Sequence, residues 1–149
     1  MIPQSTPFYL IRPASESDSE SVYAFMCELE EIVLDRVQFE NVFRHNLINP
    51  LVRYLIAEWN GQTVGFASCH IQFVLHHTGK VAEIQELYVH PDYRNQRIGQ
   101  ALVTAIDALA RQQGAVNLEV TTNQKRSDTI RFYEREHFVR THVKLVKPI

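Results

Sequence analysis

A repeat of apolar side chains every three to four residues marks four stretches of the chain as helices. Val22 to Leu29 carries apolar residues at i, i+3, i+4 and i+7, and Ser15 or Ser17 can cap this helix. Asp35 is placed to cap a second helix, which must end before Pro50 because proline cannot continue it. The last two predicted helices run from Ile98 to Leu109 and from Ser127 to Glu136.

Six other stretches are rich in β-branched and aromatic residues, as strands are. In chain order they are Phe8–Arg12, Val52–Trp59, Gln62–His77, Val81–His90, Val116–Val120 and Phe138–Val146. Asn60-Gly61 is a two-residue hairpin signal between the second and third strands, whereas a helix connects the fourth and fifth strands and makes them parallel. Because no repeat or linker interrupts this order, we expect one α/β domain over residues 1–149 with a mixed sheet.

Charge and cysteine content narrow the class of protein. The chain has 15 basic and 17 acidic residues, a net charge of −2, which argues against a nucleic-acid partner. No apolar run reaches the ~20 residues of a membrane helix, and the N-terminus lacks the pattern of a signal peptide, so no membrane partner is expected. Two cysteines are too few for a disulfide scaffold, which predicts a cytoplasmic location.

The most informative stretch is a predicted strand, a loop and the start of a helix, from Glu83 to Gly99. A loop of this kind presents unpaired backbone N–H groups at the positive end of a helix dipole. Such a point binds phosphate groups well. The spacing alone is also compatible with an ordinary connection between a strand and a helix.

Two motifs add to this pattern. Arg94-x-x-Arg97-x-Gly99 resembles the Arg/Gln-x-x-Gly-x-Gly/Ala loop of the GNAT superfamily of N-acetyltransferases. Asn123, Phe132-Tyr133 and Phe138 resemble the second landmark of that superfamily, an Asn after the fifth strand and a Phe-Tyr on the next helix. The resemblance implies a GNAT fold, with splayed parallel strands 4 and 5 and helices on both faces of the sheet. It also implies an acyltransferase that moves an acetyl group from acetyl-CoA to an amine.

Shorter pieces extend the resemblance to one group within the superfamily, the acetyltransferases that act on aminoalkylphosphonates. These pieces include Cys27-Glu28-Leu29, His70-Ile71-Gln72-Phe73, Glu83-Ile84-Gln85-Glu86-Leu87 and Arg131-Phe132-Tyr133. The resemblance implies a small primary amine as acceptor, an aminoalkylphosphonate, and raises the use of a divalent metal cation. The alternatives are another small amine or amino acid as acceptor, and a CoA-binding module without catalysis.

The resemblance also implies which residues bind the cofactor. The backbone of the fourth strand would pair with the pantetheine amides, the loop would bind the pyrophosphate, and residues around the last helix would complete the site. These residues are Leu87, Tyr88, Val89, Arg94, Asn95, Gln96, Arg97, Ile98, Gly99, Gln100, Asn123, Ser127 and Phe132. Arg97 replaces a glycine of the motif, and we expect its φ to be negative because a side chain at positive φ is strained.

Acetyl transfer to an alkylammonium needs a base, and Glu83 and Glu86 are candidates by position. They point to opposite faces of a regular strand, so only one can reach the amine unless a bulge redirects the strand. We favour Glu86, with Glu83 or a histidine as the alternative. The resemblance places Tyr133 as the acid that protonates the leaving thiolate; otherwise it is an aromatic core residue.

Residues that would contact the acceptor are His76 and His77, predicted to share one strand with His70, and Lys125 and Arg126 after the Asn123 landmark. Surface residues without function are the alternative, and metal ligation ranks third because H-x5-H-H is not an established zinc spacing. Superfamily members are often dimers, and the strand predicted at Phe138–Val146 is a candidate homodimer interface because an edge strand must be covered or paired.

Overall fold

The computed structural model describes residues 8–149, which form one mixed five-stranded sheet flanked by four helices. The strands lie in the order β1-β2-β3-β4-β5, and three 3-10 turns connect elements at Glu16–Asp18, Leu75–His77 and Pro91–Tyr93. The elements are β1 (Tyr9–Pro13), α1 (Ser19–Glu30), α2 (Arg36–Leu47), β2 (Val52–Trp59), β3 (Gln62–Val74), β4 (Gly79–Val89), α3 (Ile98–Gln112), β5 (Asn117–Val120) and α4 (Ser127–Arg135).

Local signals in the sequence account for several of these boundaries. The Gln38 N–H donates to Asp35 Oδ1 over 2.8 Å and caps α2 as predicted. Asn60 and Gly61 both have positive φ, 49° and 82°, which is the conformation of the tight turn that joins β2 and β3. Gly114 follows α3 with φ 74°, where a left-handed residue ends a helix.

Helices cover both faces of the sheet, as the family resemblance implies. Strands β1 to β4 are antiparallel, and β5 pairs with β4 in parallel. On one face Leu102 and Ile106 of α3 pack against the sheet, and the buried Tyr133 of α4 joins them. On the other face Phe25 of α1 and Phe43 of α2 pack against the sheet.

Two predicted strand boundaries are wrong. Residues Phe138–Val146 form no strand, because a strand needs a neighbouring backbone to pair with, and no strand of residues 8–149 pairs with this segment. Strand β3 ends at Val74 rather than His77. Leu75–His77 form a 3-10 turn, and Thr78 closes that turn in a left-handed conformation, so the chain has reversed before β4 begins.

An irregularity between β3 and β4 shapes the middle of the sheet. Ala67 pairs with Leu87, but Cys69 pairs with Ile84, so Ser68 lies opposite two residues of β4 instead of one. This extra residue is a β-bulge, which redirects side chains and increases local twist. The pairing between β4 and β5 ends just before the bulge, at Ile84. Strands 4 and 5 therefore separate there, as expected for a GNAT fold.

None of the helices within residues 8–149 has the length and apolar character needed to cross a membrane.

Candidate active site

The separation of β4 from β5 leaves one edge of β4 open from Gln85 to Val89. No strand in the described part of the chain pairs with this edge. The His90 N–H bonds the Val64 carbonyl over 2.8 Å, and residues along an antiparallel strand alternate in direction. The main-chain groups of Tyr88 therefore point to β3, and those of Leu87 and Val89 point to the open edge. These groups can pair with an extended ligand that carries amides.

Tyr88 does not contribute to the open edge. Its ring is buried and stacks on Phe25 of α1 at 4.6 Å between ring centroids, and its hydroxyl donates to Glu28. Burial, together with the Glu28 carboxylate, raises the pKa of this phenol. Tyr88 therefore joins β4 to α1, and the structure offers no group of Tyr88 for the cofactor contact that the resemblance implies.

The loop after β4 has a backbone shaped for anions. Asn95 and Arg97 are both left-handed, with φ of 65° and 63°. Left-handed residues next to ordinary ones turn successive N–H groups inward, and α3 adds the unpaired N–H groups of its first turn. The Arg94 Nε donates to the Val89 carbonyl over 3.0 Å and ties the loop to the open edge. A backbone of this shape at the start of a helix can bind a phosphate group.

Arg97 has positive φ, so the expectation of negative φ is wrong. It is the first flanking residue of α3, and its side chain is exposed. The helix start requires a left-handed residue here, which explains why the family motif has glycine at this position. An arginine at positive φ has a backbone strain of about 1–2 kcal/mol. It also adds a positive charge beside the N–H groups of the loop.

Helix α4 packs on this loop through Phe132. A Cβ added at Gly99 would lie 3.4 Å from Phe132 Cζ and 3.8 Å from Val89 Cγ2, so the Phe132 ring covers the first turn of α3. Tyr133 follows it, with its ring edge-on to both Phe132 and Phe138. The side chains implied for the cofactor and for the leaving-group acid are thus adjacent in space as well as in sequence.

The Tyr133 side chain is 5% exposed. Burial raises the pKa of Tyr133 to about 12, which keeps its phenol protonated at neutral pH. No hydrogen bond of its hydroxyl to another described residue is present. The phenol therefore keeps its proton available for a bound group.

The turn before α4 is organised by Asn123. Its Oδ1 accepts the Lys125 N–H over 2.9 Å, and its carbonyl accepts the Arg126 N–H over 2.9 Å. Asn123 is thus a turn residue that starts α4, the role expected of an Asn at such a point. Arg126 reaches the end of α1, where its Nη2 donates to the Leu29 carbonyl over 3.3 Å. Lys125 and Ser127 are exposed.

The bulge brings both candidate bases to one face of the sheet. Glu83 pairs with His70, and Glu86 bonds Ser68, two residues before His70 on the same face of β3. Ala67 and Cys69, which point the other way, pack in the core against α3. Because this bulge redirects β4, both glutamates can reach an acceptor on the same face. Glu83 also accepts a bond from Thr121 Oγ1 over 3.4 Å.

The three histidines are not on one strand as predicted. His70 lies on β3 and shares the face of the glutamates. His76 and His77 lie in the turn after β3, with their rings tilted by 39° and their centroids 4.4 Å apart, and His77 Nε2 is 3.9 Å from Glu119. Ser68, opposite Glu86, precedes Val74 by six residues, so roughly 20 Å of strand separates this turn from Glu86. A contact of His76 or His77 with the acceptor stays a prediction.

No group of three or more His, Cys, Asp or Glu side chains within residues 8–149 is arranged to hold a metal ion. The expectation of a divalent cation therefore finds no support in the geometry.

Sequence reasoning missed three polar side chains around Glu86. Ser68 is fully buried and bonds Glu86 twice, and Tyr54 lies opposite Ser68 on β2. Asn46 Nδ2 of α2 donates to the Tyr54 hydroxyl over 2.6 Å. Burial raises the pKa of Tyr54, and the nearby charge of Glu86 adds to this effect. The one signal in the sequence was Ser68 itself, a small polar residue between Ala67 and Cys69 in a buried strand.

An open strand edge that can pair with amides, beside a loop that can bind phosphate, suits a cofactor such as coenzyme A. Comparisons with known proteins agree with this class. Residues 19–138 match the acetyltransferase (GNAT) family. The chain is 43% identical over 143 residues to the aminoalkylphosphonate N-acetyltransferase of Salmonella typhimurium, which covers 96% of this chain and 93% of that protein. The chain belongs to the GNAT acetyltransferase family. It is an acyltransferase that moves an acetyl group from acetyl-CoA to nitrogen.

Solved structures confirm the fold. A transcriptional regulator from Bacillus halodurans superposes with a TM-score of 0.88 at 23% identity, covering 95% of this chain and 100% of that one. An aminoglycoside N-acetyltransferase in complex with CoA superposes with a TM-score of 0.87 at 16% identity, covering 100% of this chain and 99% of that one. At these identities the likeness concerns the fold alone.

Replacing the left-handed Arg97 with glycine should stabilise the protein. Arg97→Gly removes the backbone strain and the charge, whereas Arg97→Ala removes the charge and keeps the strain. We expect Arg97→Gly to be more stable than Arg97→Ala by about 1 kcal/mol, or roughly 2–4 °C in Tm. Thermal unfolding of the two variants measures the difference, and equal stability would mean that the loop carries no strain at Arg97.

Stability should fall in alkali because of Tyr133. Its pKa is about 12 when folded and about 10 when unfolded, so the unfolded state loses the proton first and gains stability as pH rises from 10 to 12. This contributes a loss of about 3 kcal/mol in the free energy of unfolding over that range. Urea unfolding should show a shallower fall for Tyr133→Phe, and Tyr9→Phe, which removes a half-exposed phenol, is the control. An unchanged slope in Tyr133→Phe would contradict the assignment.

Proposed function

We propose that the protein acetylates the primary amine of a small aminoalkylphosphonate. The observation that carries this proposal is the 43% identity, over nearly the whole of both chains, to a protein named aminoalkylphosphonate N-acetyltransferase. The face that carries Glu83 and Glu86 supports it, because two carboxylates attract an ammonium group. We therefore assign the acceptor amine to this face, beside the open edge of β4.

Glu86 accepts the proton of the acceptor ammonium, directly or through water, so that the neutral amine can attack the thioester carbonyl. Glu86 lies at the bulge, next to the open edge at Leu87, whereas Glu83 lies where β4 is still paired with β5. This position favours Glu86 as the base. Glu83 holds the same ammonium by charge.

The N–H groups of Leu87 and Val89 supply donors at the open edge. One of them is placed to bond the oxygen that becomes negative when the amine adds to the carbonyl. As the C–S bond breaks, Tyr133 gives its proton to the leaving sulfur and later regains one from solvent. Glu86 passes its first proton to solvent and then accepts the second proton of the nitrogen, which leaves the neutral amide. A stepwise transfer from a phenol of pKa about 12 to a thiolate of pKa about 8.5 costs roughly 5 kcal/mol, so the transfer is concerted with bond cleavage.

The phosphonate needs cations or N–H groups at a distance from the glutamates. Lys125 and Arg126 lie on the turn between β5 and α4, and Arg126 also reaches the end of α1. We assign the phosphonate to this turn rather than to His76 and His77, because roughly 20 Å of strand separates those histidines from Glu86. Arg44 and Arg53 are less suited, since Arg44 lies near Glu16 and Glu40, and the Arg53 guanidinium bonds the Pro50 carbonyl.

We also place the protein in the cytoplasm and propose that it forms a homodimer. Cys27 and Cys69 are both free thiols, as in a reducing compartment. In the segment after Phe138, the apolar residues Val139, Val143 and Leu145 have polar residues between them and are 81–90% exposed. The outer edge of β5 is unpaired among the strands of residues 8–149. The same segment of a second copy can cover these surfaces.

The acceptor is tested by following release of the CoA thiol. Aminomethyl- or aminoethylphosphonate should give the highest kcat/KM. Taurine and β-alanine are matched controls that replace phosphonate with sulfonate or carboxylate, and an aminoglycoside tests a polyamine acceptor. A higher kcat/KM with any of these controls would mean that the acceptor belongs to the class of that control and is not an aminoalkylphosphonate. If the protein bound acetyl-CoA but transferred the acetyl group to no amine, it would be a CoA-binding module without catalysis.

The dimer is tested by light scattering at micromolar concentration, where a mass of twice 17.3 kDa is expected. Val143→Asp with Leu145→Asp should shift the mass to that of the monomer, because charge at these apolar positions opposes burial. Lys144→Asp, which changes the polar residue between them, should leave the dimer intact. A monomeric unsubstituted protein would contradict the proposal.

A further inference from the structure

Ser68 makes two hydrogen bonds to the same residue across the bulge. Its hydroxyl donates to Glu86 Oε1, and its Oγ accepts the Glu86 N–H over 3.0 Å. The Ser68 side chain is 0% exposed, so both bonds are shielded from water. A buried hydroxyl is stable only when its hydrogen-bonding groups are used, and here a single residue uses them.

The bulge explains why a hydroxyl is needed at this position. Ser68 faces two residues of β4, so the Glu86 N–H cannot form a regular ladder bond to the main chain of β3. The Ser68 Oγ accepts this N–H instead. Once the hydroxyl is held by that bond, its own proton points at the Glu86 carboxylate. The irregularity of the backbone thereby fixes the direction of a side chain.

We infer that Ser68 is a positioning residue that holds the Glu86 carboxylate in the orientation needed to accept a proton. The Ser68 bond occupies Oε1, and no other group within residues 8–149 bonds the second oxygen, Oε2. Oε2 is therefore the atom left for the acceptor ammonium. A free glutamate side chain samples several rotamers, and the Ser68 bond selects one before the substrate arrives.

The other polar groups near Glu86 do not take this role. Tyr54 lies on β2 and its hydroxyl is already bonded by Asn46. His70 lies opposite Glu83 rather than Glu86. Ser68 alone among the described residues bonds both the main chain and the carboxylate of Glu86.

The inference rests on Glu86 being the base, so the experiment separates the two claims. Ser68→Ala and Glu86→Gln are made singly and together, and initial rates give kcat and KM for both substrates. A positioned base contributes about 10²–10⁴-fold to rate, and we expect Ser68→Ala to lower kcat about tenfold with KM for acetyl-CoA unchanged within about twofold. In the Glu86→Gln background, Ser68→Ala should cause no further loss.

Cys69→Ala is the matched control, because Cys69 is equally buried in the same strand but faces the core against α3. It should leave kcat unchanged within about twofold. Ser68→Thr keeps the hydroxyl and should retain activity even where the added methyl group lowers Tm. If Ser68→Ala does not fold, Ser68→Thr and Ser68→Cys, a weak donor of similar size, provide the same comparison.

The outcomes are distinct. Either of two results would overturn the role of Ser68. One is a kcat of Ser68→Ala equal to that of the unsubstituted protein. The other is a loss of kcat in the double variant that equals the product of the losses in the two single variants. A fully active Glu86→Gln would instead overturn Glu86 as the base.

Discussion

The extra residue in β4 opposite Ser68 is the constraint on which the site depends. In a regular strand Glu83 and Glu86 would lie on opposite faces. The bulge places both on one face, and the parallel pairing of β4 with β5 stops at the residue before it. One local change in register therefore creates the acidic face, and the open edge of β4 begins at the same point. A regular β4 would return Glu83 and Glu86 to opposite faces of the sheet.

A second constraint joins the cofactor loop to the last helix. Arg94 ties the loop to Val89, and Phe132 lies on Gly99 and beside Tyr133. The loop, the open edge and the helix that carries the phenol are thus in direct contact. Because protein interiors are close-packed, a shift of the loop is felt at the neighbouring helix. The loop, the end of β4 and α4 therefore form one packed unit.

Much of the fold could be predicted because its signals are local. The cap at Asp35 and the turn at Asn60-Gly61 depend on neighbouring residues alone. The segment after Phe138 was wrongly predicted as a strand because the sequence pattern shows only that its residues suit a strand. A strand also needs a neighbouring strand to pair with, and the pattern does not show whether one is present. The early end of β3 could not be predicted because the turn that follows it, Leu75–His77, contains no glycine or proline.

The sequence predicts which residues belong to the candidate site better than it predicts how their backbone and side chains are arranged. The motif located the loop, but the φ of Arg97 depends on how α3 begins. Ser68 could not be assigned, since its partner is 18 residues away and the bulge that joins them is a property of two paired strands. The role of Tyr88 could not be predicted for the same reason. It lies in the stretch that the motif marks, but its ring stacks on Phe25 of α1, which is distant in sequence.

The left-handed residues of the loop have one further consequence, for the substitutions that the loop tolerates. Asn95 and Arg97 are exposed, and both have positive φ. Asparagine adopts this conformation more readily than most residues, whereas a β-branched residue at either position would be strongly disfavoured. The backbone of the loop therefore limits substitution at these two positions more than their exposure alone would.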